Sequence, residues 1–448
     1  MKTRHRSETE RNVRAGTGAR PSRAARRSIR TAAVLATLPW CVPGCLQPEC
    51  SQPDYTAAEC RVLAENELAR LATASGVEAR FQTPAAYAAG DATSWYATGV
   101  FEDLGGGTIR ARVAGPGPFA LSFEAAPRAP GSLSVVLENV DPRAVVVVGP
   151  ADEAEVLGPA PLFESVRTVE VPLRTDRPVW IAGAVPCGPA LRLAALGDVQ
   201  TNPQQFERIV DVLQDEAARD DGPPLVALLF LGDVTELSTD VEFELMADLF
   251  RRIPVPVAAV PGNHDVFASS RAIYNRVFGP GNYTVDVCGV HVAMLDTGNG
   301  TLAASVEGRL PGLLHAAPTA TKANLVATHY PPHPELTGNG WADEGVAQHL
   351  LVEAALAGVD LVLAGHIHTL MDFPEVPVGD RSLRQIVTGT GGANQGKAVA
   401  RYGFLDLLLA DGEAPRPCFR EVPPPNWDGL TNAPLSSRLP NCPDRPAP

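Results

Sequence analysis

From Leu191 onward, short apolar runs alternate with stretches whose apolar residues recur at helical spacing. Leu191–Leu196, Leu225–Leu231, Val255–Val260, His291–Leu295, Asn324–Thr328, Val359–Ala364 and Leu383–Val387 read as strands. The second is so uniformly apolar that burial on both faces is expected. Helices are predicted over Pro203–Ala218, Asp240–Arg252, Ser269–Phe278 and Asp343–Ala357, the first with Phe206, Ile209, Val210 and Leu213 on one face. This alternation is the signature of an α/β domain, here residues 190–412. Upstream, across residues 94–189, the runs are shorter and separated by Gly/Pro turns. Thr108–Ala114, Phe119–Glu124, Leu133–Val140, Ala144–Val148, Arg167–Leu173 and Pro178–Val185 predict a smaller all-β, sandwich-like domain with no clustered catalytic side chains. A tether and one amphipathic helix, over Thr56–Thr73, occupy residues 46–93. The tail, 413–448, carries ten prolines and is expected to be extended.

The amino terminus reads as an address. Ten basic and two acidic residues fill the first thirty positions, followed by a thirteen-residue apolar run, Thr31–Pro43, too short to span a bilayer. Residues 1–45 are therefore expected to be a signal peptide. Val42-Pro43-Gly44-Cys45 resembles a lipobox, which leaves two readings open: plain secretion, or attachment to a membrane through a lipid on Cys45. Either makes the protein extracytoplasmic. Eight cysteines without a Cys-x-x-Cys agree with an oxidising compartment, and proximity pairs Cys50 with Cys60 and Cys418 with Cys442. Beyond residue 30 the chain holds 27 basic against 49 acidic residues, a balance that excludes broad nucleic-acid binding. A small phosphate ester is compatible with such a body only if something positive sits in the site.

The chemistry lies just past the strands. Leu196 runs into Gly197-Asp198-Val199-Gln200, Leu231 into Gly232-Asp233, Val260 into Pro261-Gly262-Asn263-His264-Asp265, Thr328 into His329, and Ala364 into Gly365-His366-Ile367-His368. In open α/β sheets ligands bind outside the carboxyl ends of strands, so the five turns are expected to converge. Singly, each is an ordinary turn or helix cap. Together they supply oxygen and imidazole donors suited to Mn, Fe or Zn, in number enough for two ions.

Gly-Asp-x, Gly-Asp, Gly-Asn-His-Asp, a lone His and Gly-His-x-His, in this order, resemble the calcineurin-like metallophosphoesterase family over roughly residues 190–410. The resemblance implies two stacked sheets flanked by helices and a dinuclear centre of divalent or trivalent ions. It places Asp198, Asp233 and His368 on one ion, to which Gln200 can add its amide oxygen, and Asp233, Asn263, His329 and His366 on the other. His264 would protonate or orient the leaving oxygen, supported by Asp265. Gln200 departs from the commoner His of the first motif and is a weaker, neutral donor. Glu236 stands three residues beyond Asp233, where the purple acid phosphatase branch needs Tyr. The implied activity is hydrolysis of a phosphomonoester or phosphodiester by a bridging hydroxide. A nucleotidase or cyclic-nucleotide phosphodiesterase is the alternative enzyme, and a cell-surface binding protein with a degenerate metal domain the alternative of another class. Of the remaining histidines, His291 is expected in the core and His315 and His349 on solvated helix faces. His333 borders the site, either facing substrate or as loop. Thr388–Asn394 is a Gly-rich turn without the Lys-Ser/Thr of a P-loop, expected to pack tightly near the site.

Overall fold

The computed structural model describes residues 57–161, 163–266, 273–317, 319–395, 401–424 and 439–443. The expected signal peptide, the Val42–Cys45 segment read as a lipobox, the expected tether and Cys50 lie outside them. Among the described residues no helix is long and apolar enough to cross a membrane.

The α/β region is built on two sheets. Five site strands are labelled in chain order: β1 (Ala190–Leu196), β2 (Leu225–Phe230), β3 (Val257–Ala259), β4 (Ala323–Thr328) and β5 (Leu361–Ala364). In the first sheet β3, β2 and β1 run parallel, followed by Gly403–Ala410 and Arg416–Glu421. In the second, Val290–Met294, β4, β5 and Arg381–Thr388 run parallel, flanked by Tyr283–Val287 and Leu370–Val378. The sheets stack: Leu193, Ala195, Leu229 and Leu407 of one share a buried layer with Val292, Leu325, Leu363 and Ile386 of the other. Helices Pro203–Ala217 and Asp240–Arg251 cover the outside of the first sheet through Phe206, Ile209, Phe243 and Phe250. Helix Glu344–Leu356 covers the second through Leu350, Leu351 and Ala354. The expected two-sheet sandwich is therefore present, because strands with apolar side chains on both faces need a layer on each side.

From residue 70 the upstream region is all-β apart from one short helix, Pro84–Ala89, in sheets of six and four strands with one shared core of Phe81, Phe101, Leu121, Phe123, Val135 and Ile181. All six expected strands are present within two residues at either end. Four others were not expected, including Arg70–Ala72 and Val77–Gln82, which join the six-stranded sheet from before residue 94. The helix expected over Thr56–Thr73 accordingly stops at Leu68: α1 is Ala57–Leu68, and Leu71 belongs to a strand. This β region meets the first sheet at its edge. Asn139 both donates to the Val257 carbonyl (2.9 Å) and accepts from its N–H (2.8 Å), at the end of β3 opposite to Asn263.

The tail also differs from expectation. Arg416–Glu421 is an edge strand, where Pro417 is tolerated, and Cys418 bonds Cys442 as the spacing foresaw. A second disulfide, Cys187–Cys288, ties the end of the β region to the second sheet of the α/β region. Cys60 is also disulfide-bonded, but its expected pairing with Cys50 lies outside the described residues.

Candidate metal centre

Because β1 to β5 share one direction within each parallel set, their exits open at one edge. Asp198, after β1, is fully buried; its Oδ2 accepts from the His366 main chain (3.0 Å), while Oδ1 has no hydrogen-bond donor. Asp233, after β2, accepts from the His264 main chain through Oδ1 and from Gln200 Nε2 through Oδ2, each at 2.8 Å. His329 Nε2 lies 3.4 Å from Asp233 Oδ2 and 3.0 Å from Asn263 Oδ1. His366 Nδ1 lies 3.1 Å from the same Asn263 oxygen, and His368 Nε2 3.5 Å from Asp198 Oδ1. Two clusters result, Asp198–Asp233–His368 and Asp233–His329–His366, which share Asp233.

The hydrogen bonds on the far side of each ring fix its chemistry. His329 Nδ1 faces the Leu231 carbonyl (2.8 Å), His366 Nε2 the Asn339 carbonyl (2.5 Å) and His368 Nδ1 the Asn394 carbonyl (3.2 Å). A carbonyl only accepts, so in each ring that nitrogen carries the proton. The other nitrogen, a lone pair in the neutral ring, then points at oxygens that are acceptors too. Acceptor against acceptor is repulsive unless a proton or a cation lies between. For His329 a proton can do it: burial opposes the charge, but Asp233 and then Asp198 outweigh it and lift the ring to about 9. The other two rings resist protonation, His366 driven down to about 4 by burial and the charge of His329, and His368 lowered mainly by burial. Burial and the like charge of Asp233 also push the Asp198 carboxyl well above the usual range, against the pull of His329. Asp233 itself falls to about 2, since His329 and its hydrogen bonds overcome burial. Donors held about 2.1 Å from a common ion stand about 3.0–3.4 Å apart, and the separations here are 3.0, 3.1, 3.4 and 3.5 Å. The donor set, its orphaned oxygen and its spacing all fit divalent ions.

The local backbone is shaped for this. Asp198, Gln200, Asp233 and His366 all have positive φ, between 44° and 66°, a conformation costing non-glycine residues on the order of 1 kcal/mol or more. A Cβ on Gly365 would lie 2.6 Å from Asp198 Oδ2, one on Gly389 2.9 Å from the same atom, and one on Gly262 would strike Asp233 Oδ1. The Gly-rich turn thus packs on the site as expected, with Ala393 N–H also donating to the Asp198 carbonyl (2.8 Å).

His264 is brought to the rim, half-buried, with Nδ1 2.8 Å from the Glu236 carbonyl. Asp265 is not its support. Its carboxylate is buried and accepts from Gly262 N (2.8 Å), Val234 N (3.2 Å), Thr235 N (2.9 Å) and Thr235 Oγ1 (3.1 Å). Burial and then the charge of Asp233 raise it to about 6 against those bonds. Asp265 therefore joins the turn after β2 to the turn after β3; four loop donors outcompete one ring. His333 packs its ring on Phe373 at 4.0 Å and accepts from Glu335 N, the loop alternative. His291 is in the core, bonded to Asp286 and the Leu313 carbonyl; His349 bonds Glu307; and His315 falls just past its short helix.

Sequence reasoning missed Tyr330, whose ring lies 4.2 Å from that of His366, and Thr297, whose Oγ1 accepts from the main chains of His329 and Tyr330. It also missed the carbonyls of Leu231, Asn339 and Asn394. A carbonyl leaves no residue-type signal, and Thr297 follows an ordinary strand.

Residues 191–370 match the family model described as calcineurin-like phosphoesterase, which bears out the resemblance carried by the five motifs. Among solved structures the chain is similar to a purple acid phosphatase from yellow lupin (12% identity, 70% of this chain and 79% of that one, TM-score 0.42). It is also similar to a dimetal phosphatase from Danio rerio (12%, 51% and 99%, TM-score 0.37) and to GAP50, described as the anchor in the inner membrane complex of Plasmodium (16%, 52% and 85%, TM-score 0.40). No protein of curated function matches the chain.

Proposed function

We propose that the protein is an exported hydrolase of small phosphate esters working with two metal ions. Asp198, Gln200, Asp233 and His368 hold one, and Asp233, Asn263, His329 and His366 the other. The observation that carries this reading is the set of ring lone pairs and the orphaned Asp198 oxygen converging around one shared carboxylate. Oxygen and imidazole donors without thiolate favour Mn, Fe or Zn. Bound ions supply the charge that activates a water near neutral pH and offsets the phosphate oxygens. Gln200 serves with its amide reversed, turning Oε1 inward in place of the Nε2 that now faces Asp233.

The chain's own part is orientation and proton supply. The three main-chain carbonyls fix the tautomer of each ligand histidine, so no ring has to reorganise to bind. His264, with Nδ1–H directed at Glu236, acts through Nε2 and delivers a proton to the leaving oxygen. Its main-chain bond to Asp233 keeps that ring in register with the metal ligands. The net charge of -14 supports a small substrate over a polyanionic chain. The disulfides Cys187–Cys288 and Cys418–Cys442 support an extracytoplasmic setting.

The test is hydrolysis of p-nitrophenyl phosphate and its bis-ester with Mn, Fe or Zn added in turn, beside Asn263→Ala and His264→Ala. Metal-dependent turnover lost in both variants is expected, and the preferred ester separates monoesterase from diesterase. Folded, ion-loaded protein that turns over neither ester would overturn the enzyme reading in favour of a binding protein.

A further inference from the structure

Helix α1 lies far upstream of the matched segment 191–370, yet two of its buried side chains are ionisable and reach into that segment. Arg61 donates through Nε and Nη2 to the two oxygens of Asp296, over 2.6 and 2.9 Å, and through Nη1 to Asn299 Oδ1 over 2.6 Å. One turn on, Glu65 accepts from the Gly281 main chain (2.8 Å) and from Asn282 Nδ2 (3.2 Å). Asn282 Oδ1 in turn accepts the main-chain N–H of Asp296 (3.0 Å). Asp296 is thus gripped at both its side chain and its backbone, by groups that α1 provides or braces.

The residue after Asp296 is the one that touches the site. Thr297 Oγ1 accepts the main-chain N–H of His329 (3.1 Å) and of Tyr330 (3.0 Å). The Tyr330 ring is tilted against His366. His329 and His366 belong to the same cluster around Asp233. A buried ion pair adds little net stability over an apolar pair of the same size, but its directional bonds hold Asp296 in one orientation.

We propose that α1 is a positioning element for the ion that His329 and His366 hold: Arg61, acting through Asp296 and Thr297, sets how far the His329 backbone enters the site. This rests on the two-ion reading above. Among the described residues no corresponding hydrogen bond joins α1 to Asp198 or His368, so the effect falls on one ion and spares the other. Residues 57–68 are on this account part of the catalytic unit, although the β region separates them from it in sequence.

The test is calorimetric titration of Mn²⁺ into the whole protein, with Arg61→Lys and Thr297→Val beside wild type and His329→Ala marking the step that belongs to His329. Wild type is expected to bind in two steps. Both variants are expected to weaken the His329 step by about 10-fold or more and leave the other unchanged. Thr297→Val keeps the side-chain shape and reads the same chain of bonds from its far end, so unchanged steps there overturn the inference even if Arg61→Lys does not fold. Two unchanged steps in folded variants overturn the inference alone, as does equal weakening of both steps, which marks a merely structural helix. Wild type that binds no ion overturns the function reading and this inference with it.

Discussion

His264 Nδ1 lies 2.8 Å from the main-chain carbonyl of Glu236, whose carboxylate stands farther off at 3.7 Å. The ring is therefore oriented by a group that every residue at position 236 would supply. His264→Asn is expected to lower kcat by about 10²–10⁴-fold with both ions still bound. Glu236→Gln is expected to change it by less than about tenfold. Steady-state kinetics with metal analysis of the same samples checks both.

Asp265 neighbours His264 but serves the loops. Removing its carboxylate leaves buried N–H groups of Gly262, Val234 and Thr235 without acceptors. Asp265→Ala should cost on the order of 3 kcal/mol or more, read as a lower denaturation midpoint. A variant that melts like wild type yet has lost turnover would return Asp265 to a direct catalytic role.

Asp198 is a buried carboxylate with one oxygen unserved by any donor. Without metal, Asp198→Asn is expected to leave stability unchanged or raise it by about 1 kcal/mol, because the amide removes the cost of burying a carboxyl that is ionised in the unfolded chain. With Mn²⁺ the order should reverse, since wild type gains stability from ion binding that the variant has lost. Melting curves of both proteins with chelator and with Mn²⁺ should cross.

Glu65 is pushed to about 8 by burial and then by the charge of Asp296, against its bonds to Gly281 and Asn282 and the charge of Arg61. Its folded pKa thus exceeds its unfolded value of 4.5. Between those two values the folded state holds the extra proton, so stability falls as pH rises through that window and levels off above it. Glu65→Gln should melt like wild type near pH 5 and be the more stable protein near pH 8, by on the order of a few kcal/mol. Equal pH slopes in the two proteins would contradict this.

Legibility in the sequence followed the range of the interactions. The helix from Pro203 carries its own cap at Asn202 and the helix from Asp240 a capping box of Thr239 and Glu242, so their starts were readable to the residue. Val77–Gln82 was missed because its pattern gains meaning only when Phe119–Ala125 pairs with it. The proline-rich tail hid an edge strand for the same reason. The resemblance put Asp265 behind His264, whereas its carboxylate accepts from Gly262, Val234 and Thr235, and which of several donors a carboxylate reaches is not written in the sequence.

The alternation of strands and helices, the five Asp, Asn and His turns at strand exits, and the donor chemistry they bring are legible in the residues alone. Those are set by side-chain type and by spacing over a few residues. The folded chain sets which ring nitrogen faces inward, which carbonyl holds each ring, and that Asp198 keeps an oxygen without a donor. It alone brought Arg61 to Asp296, 235 positions away. Such contacts arise from backbone groups and from chain segments meeting in space, and neither leaves a mark on the local pattern of residues.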